Sequence, residues 1–213
     1  MTYSIVARDP HSGAFGVATA TGGPAVGSLV PHARAGAGAL ATQGYTNPFY
    51  AFDGLAALED GEGAESIVTR LTRDDDGREG RQVIIIDRDG KTAGWSGRDL
   101  TPVVGMQLKT GVAVAGNLLA NDRVLAAMMD AFDAAKGQHL EDRLLAAMRA
   151  GEDTGGDARG TRSAALKTYT DQLYPAIDMR IDSSATPIAD LAALLDEVRD
   201  QSYADFFAGL PRR

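Results

Sequence analysis

Tyr3-Ser4-Ile5-Val6-Ala7-Arg8 and Ala14-Phe15-Gly16-Val17-Ala18-Thr19 are two short runs of β-prone residues separated by Asp9-Pro10-His11-Ser12-Gly13. The spacer is rich in turn formers and ends in glycine, which predicts an antiparallel hairpin starting within the first residues of the chain. Such a hairpin pins the N-terminal segment in a sheet. The fold class then depends on whether later strands arrive through hairpins or through helical crossovers.

Gly22 to Gly44 is rich in glycine and alanine, small residues that let a backbone or a ligand approach closely, and Asn47-Pro48 ends it. Phe52 to Glu59 and Ala64 to Thr72 have helical spacing, followed by the polar linker Arg73 to Gly80. A second hairpin is expected from Gln82-Val83-Ile84-Ile85-Ile86, the turn Asp87-Arg88-Asp89-Gly90 and a returning strand over Thr92 to Ser96. Gly111 to Gly116 predicts another strand. Asn121 or Asp122 can cap a helix with the stripe Val124, Leu125, Met128, Met129 and Phe132, which Gly137 stops. Leu140 to Ala150 repeats the helical pattern with Leu144, Leu145 and Met148 on its apolar face and Gly151 at its exit. Ser163 to Leu166 and Ile177 to Ile181 read as strands, and Thr186-Pro187 as the cap and first-turn proline of a last helix carrying Ile188, Leu191, Leu195 and Val198. Strands joined mostly by hairpins, with helices in blocks, predict an α+β fold with antiparallel sheets in place of a doubly wound parallel sheet. No repeat and no second boundary interrupts the 213 residues, which read as one domain over 1–213.

Hydrophobic residues make up 44% and charged residues 23%, the balance of a soluble globular chain. The net charge of −8 comes without a basic cluster, which argues against nucleic acid as a partner. Cysteine is absent, so disulfides, thiolate nucleophiles and thiolate metal sites are excluded, and His11, His32 and His139 are too scattered for a zinc helix motif. No metal and no organic cofactor is expected. No apolar run approaches the ~20 residues of a membrane span, and Met1 leads straight into patterned sequence, so a cytoplasmic setting without membrane contact is expected.

Three features could carry chemistry. Thr2 follows the initiator Met1, whose removal a small second residue permits; the free residue would hold a hydroxyl nucleophile and, in its α-amine with a pKa of about 8, a base. A strand-edge threonine needs no function, and that reading stands beside the first. Asn117 follows a predicted strand, where its amide can donate to a developing oxyanion or simply bond to a turn. Gly155-Gly156-Asp157-Ala158-Arg159-Gly160-Thr161-Arg162-Ser163 combines turn glycines, the charged pair Asp157 and Arg159, and Ser163 beside very small residues; it reads equally as a site loop and as a salt-bridged loop. Gly36-Ala37-Gly38-Ala39-Leu40-Ala41 matches the dinucleotide pattern only in form, because no apolar strand precedes it and Pro48 cuts short any helix after it. Gly22-Gly23-Pro24-Ala25-Val26-Gly27 lacks the Lys of a P-loop.

Over most of its length the chain resembles the bacterial and archaeal Domain of Unknown Function 1028 family, whose fold is similar to that of N-terminal-nucleophile (Ntn) hydrolases. The resemblance rests on Thr2 to Pro10, Ala25 to Pro31, Ala35 to Gln43 with Asn47, Arg81-Gln82-Val83 and Gly116-Asn117-Leu118-Leu119. Its most specific blocks are Gly155 to Gly160 and Ser163-Ala164-Ala165-Leu166. It implies a four-layer αββα sandwich of two antiparallel sheets flanked by helices, with Thr2 as nucleophile. By analogy with the basic residue that Ntn enzymes keep near the nucleophile, it points to Arg34. Two functions follow as expectations. The first is hydrolysis of a small-molecule amide, with Asn117 as oxyanion donor and Ser163, Asp157 and Arg159 orienting the amine or substrate. The second is a non-catalytic ligand-binding or assembly protein, a homo-oligomer among its forms, that keeps Met1 on the same scaffold.

Overall fold

Alternation shapes the first strand. In β1 (Thr2–Arg8) the side chains of Tyr3, Ile5 and Ala7 enter one apolar cluster and Val6 enters another, so the strand has a covered face on each side. β2 (Phe15–Thr21) returns antiparallel, with Thr2 opposite Thr21 and Arg8 opposite Phe15, and the Asp9 carboxylate accepts the N–H groups of His11 and Ser12 in the turn between them. The structure, a computed structural model, describes residues 2–213.

The chain continues through β3 (Pro31–Arg34), β4 (Gly38–Gly44), α1 (Phe49–Glu59), α2 (Ala64–Arg73), β5 (Arg81–Asp87), β6 (Thr92–Ser96), β7 (Gly105–Lys109) and β8 (Val112–Asn117). It ends with α3 (Val124–Ala134), α4 (Leu140–Asp153), β9 (Ser163–Tyr169), β10 (Ile177–Ile181), α5 (Pro187–Val198) and α6 (Gln201–Ala208). The strands form two antiparallel sheets, one of six in the order β10-β9-β2-β1-β8-β7 and one of four in the order β3-β4-β5-β6. Met128, Leu144, Met148 and Leu191 from α3, α4 and α5 cover the outer face of the larger sheet. Leu58 and Ile67 from α1 and α2 cover Leu40, Val83 and Ile85 on the smaller. Between the sheets lie Val6, Val17, Ala39, Ala41, Ile84, Ile86, Ala113 and Ala115. The result is an αββα sandwich, in which each fully buried leucine or isoleucine contributes about 1.5–3 kcal/mol. Among the described residues no helix is long and apolar enough to cross a membrane.

The stretch from Gly22 to Gly44 holds more than a close approach: it forms the β3–β4 hairpin. Alanine and glycine carry little strand signal, yet here they are required by the space. A Cβ on Gly38 would lie 2.3 Å from the Ile86 carbonyl oxygen, and Gly36 turns the hairpin at φ +69°. The segment that mimics a dinucleotide motif is thus largely strand β4. Two further elements lie outside the sequence expectation. β7 is a short strand at the edge of its sheet, and α6 buries no side chain, so neither has a full apolar pattern. At α3 the cap position is Arg123, and Asn121 instead accepts the Arg123 N–H at 3.0 Å.

Candidate active site

The polar residues that interrupt the apolar alternation gather at one end of the sandwich. Across four neighbouring strands the register sets Ser163 beside Thr21, Thr21 beside Thr2, and Thr2 beside Asn117. These positions share parity with Val6, Val17, Ala113 and Ala115, and so point into the space between the sheets. Thr2 Oγ1 donates to Thr21 Oγ1 at 3.4 Å, and the Thr2 carbonyl accepts Gln43 Nε2 at 3.3 Å. Asn117 Nδ2 donates to Gln82 Oε1 at 2.9 Å, and the same oxygen accepts Gln43 Nε2 at 2.7 Å. Gln82 Nε2 in turn reaches Ser96 Oγ, Gly105 O and Gly116 O at 2.8, 3.0 and 3.1 Å. Ser4 Oγ lies 2.6 Å from Gln43 Oε1 and 2.8 Å from Thr19 Oγ1; the amide oxygen only accepts, so the Ser4 proton goes to Gln43. Apart from the half-buried Ser96, all of these side chains are buried, where an unpaired polar group would be costly, and each one holds its neighbour in a single orientation.

A loop from the far half of the chain closes over this row. Leu119 forms a bridge with Asp157, and the Asp157 carboxylate, 1% exposed, accepts the N–H groups of Gly22 at 2.7 Å and Arg159 at 2.9 Å. It also accepts Arg159 Nε at 3.0 Å and Nη2 at 2.9 Å, while Nη2 reaches Thr21 Oγ1 at 3.4 Å. Burial alone would raise the Asp157 pKa, but the Arg159 and Gly22 hydrogen bonds outweigh it and hold the carboxyl below its ordinary value. Contacts therefore run from Asp157 through Arg159 and Thr21 to Thr2, and they put a guanidinium one hydroxyl away from the Thr2 oxygen. Ser163 has a different task. Its Oγ donates to Gly23 O at 2.7 Å and accepts Val26 N–H at 3.1 Å, tying the loop after β2 to β9.

Because the folded pKa of Asp157 is depressed, its contribution is present above the ordinary carboxylate value of about 3.9 and is lost as pH falls through the lower folded value. Asp157→Ala is expected to cost about 2–3 kcal/mol at neutral pH, below the figure for a fully buried pair because Arg159 can regain water. Denaturant titrations at pH 7 and pH 3 check this: the gap between the two proteins should narrow on acidification. An equal gap at both pH values would mean that the carboxylate charge is not what stabilises the loop.

A model described as a family of unknown function (DUF1028) matches residues 2–191. The chain belongs to the DUF1028 family. A family-model DUF1028 protein from Silicibacter pomeroyi, known from its crystal structure, is 34% identical with a TM-score of 0.92, covering 99% of this chain and 95% of that one. Anbu (ancestral beta-subunit) from Yersinia bercovieri is 12% identical with a TM-score of 0.45 and 99% coverage of both chains, a likeness too distant to carry an argument. No curated protein matches.

In this DUF1028 chain Arg34 is not near Thr2, contrary to the analogy drawn from Ntn enzymes. It ends β3 opposite Gly38, at the other end of β4 from Gln43, which places it about 16 Å away along the strand at roughly 3.3 Å per residue. There it pairs with Glu59 at the surface. The cation beside the row is Arg159, which chain order alone could not bring to Thr2. Thr21, Gln43 and Gln82 also escaped the sequence reading as site residues. Their signal is a polar side chain at the inward parity of a strand that is otherwise apolar, as in Gln82 ahead of Val83 to Ile86.

Proposed function

We propose that this chain is an amide hydrolase of the N-terminal-nucleophile kind acting on a small molecule. The observation that supports the reading is the placement of Thr2 on the central strand between Thr21 and Asn117, with the Arg159 guanidinium reaching Thr21. In this reading Met1, which lies outside the described residues, is removed. The Thr2 hydroxyl then adds to the amide carbonyl carbon while its proton passes to the freed α-amine. The Asn117 amide, oriented by Gln82, donates to the oxyanion. The C–N bond breaks, the leaving amine takes the proton, and water hydrolyses the ester on Thr2. Arg159 favours negative charge on the nucleophile, and Asp157 holds Arg159 in place. The chemistry as proposed uses only these residues and water.

A second reading, a non-catalytic ligand-binding protein, draws support from Asn117, Asp157 and Ser163 all having internal partners, as a purely structural polar layer would. Intact mass of the protein purified from its native host separates the two. The expected mass is that of the chain without Met1. A chain that keeps Met1 quantitatively has no free Thr2 amine, and the binding reading then takes precedence.

A further inference from the structure

At the other end of the sandwich from Thr2, a cleft of about 850 Å³ opens where the β1–β2 turn, the Thr110-Gly111 turn and the α3–α4 junction meet. Seven arginines lie farther than 4.0 Å from any carboxylate among the described residues. Five of them are exposed; the other two, Arg8 and Arg143, are half-buried, and both line this cleft. We infer that the cleft is an anion-binding site, in which Arg8 and Arg143 take the carboxylate or phosphate oxygens of a small ligand.

A guanidinium withdrawn from water without a counter-charge is costly, and two at one cleft in a chain of net charge −8 call for a negative partner. Arg8 Nε is buried and meets no hydrogen-bond acceptor among the described residues. The Arg143 guanidinium stacks on the Phe132 ring at 3.9 Å and Arg8 lies 5.9 Å over Phe15, contacts that hold the planar cations while leaving N–H groups at their edges for an oxyanion. Burial pushes the Arg143 pKa down from its ordinary value, and Asp9 and Asp133, both on the cleft, offset this only in part. Those acids have other duties: Asp9 caps its own turn through Ser12 and Asp133 pairs with Lys109 at 2.8 Å. Glu141 is held by Arg199 at 2.9 Å, and Asp89 sits exposed on the neighbouring turn. Lys136, exposed at the rim and without an ion pair among the described residues, adds a third positive charge.

Calorimetric titration of the full chain with inorganic phosphate, and separately with succinate, at ionic strength fixed with sodium chloride, tests the site. Saturable binding of at least one anion is expected, weakened about tenfold or more in Arg8→Gln and in Arg143→Gln and absent from the double variant. Phosphate alone would identify a phosphorylated ligand, and succinate alone a carboxylate. If a glutamine variant fails to fold, Arg143→Lys, which keeps the charge but not the fork, should bind more weakly at an unchanged melting temperature. Neither anion binding beyond the chloride control, or binding that survives in the double variant, would overturn the inference.

Discussion

Labelling by a covalent acyl or sulfonyl probe is expected to fall to background in Thr2→Ala while the fold is retained. Among the described residues Thr2 Oγ1 makes one long contact, 3.4 Å to Thr21, so deleting it removes little beyond a methyl group, about 1 kcal/mol. The other hydroxyls nearby are poor substitutes. Ser163 gives its proton to Gly23 O at 2.7 Å, and Ser4 is fully buried against Gln43 and Thr19, with no base at hand in either case. Thr2→Ser should keep part of the labelling because hydroxyl and amine both survive. The rate in the wild type should rise with pH through the range near 8 where an α-amine loses its proton. Labelling that persists in Thr2→Ala and disappears in Ser163→Ala would move the nucleophile to Ser163.

Gln82→Leu is expected to lower stability by about 3–5 kcal/mol, the largest loss among these single substitutions. The volume is nearly kept, so the cost is not a cavity. It comes from stranding Gln43 Nε2 and Asn117 Nδ2, which lose their shared acceptor, together with Ser96 Oγ and the carbonyls of Gly105 and Gly116, which lose a donor. The loss stays below the sum of five separate penalties because half-buried Ser96 can regain water and Gly105 and Gly116 are also paired across β7 and β8. Urea denaturation measures the effect, and a loss under about 1 kcal/mol would show that water or new partners replace the amide. Since Gln82 orients Asn117, probe labelling at Thr2 should also slow in this variant.

Hairpin alternation, cap and stop residues and helical stripes in this sequence determined most of the elements, including β1 with Thr2 at its start and the β5–β6 pair. They determined the α+β class too, because those signals are local: period two, period 3.6 and turn chemistry act within a few residues. The four-layer arrangement follows from the family resemblance and not from these local signals. The β3–β4 hairpin was not legible, since Ala33, Ala39 and Ala41 are selected by the narrow gap between the sheets and Gly38 by the close approach of the Ile86 carbonyl and Leu58, and not by strand propensity. Thr2, Asn117, Asp157, Arg159 and Ser163 stand out in the sequence as candidates, but only the tertiary structure decided which polar residues lie together. Register across β9, β2, β1 and β8 aligned Ser163, Thr21, Thr2 and Asn117, and the smaller sheet brought in Gln43 and Gln82 from above. The same long-range pairing carried Arg159 to Thr21 and left Arg34 at the opposite end of β4. Strand register is set by which side chains can be buried together, a property of the assembled sandwich that no segment of the chain holds by itself.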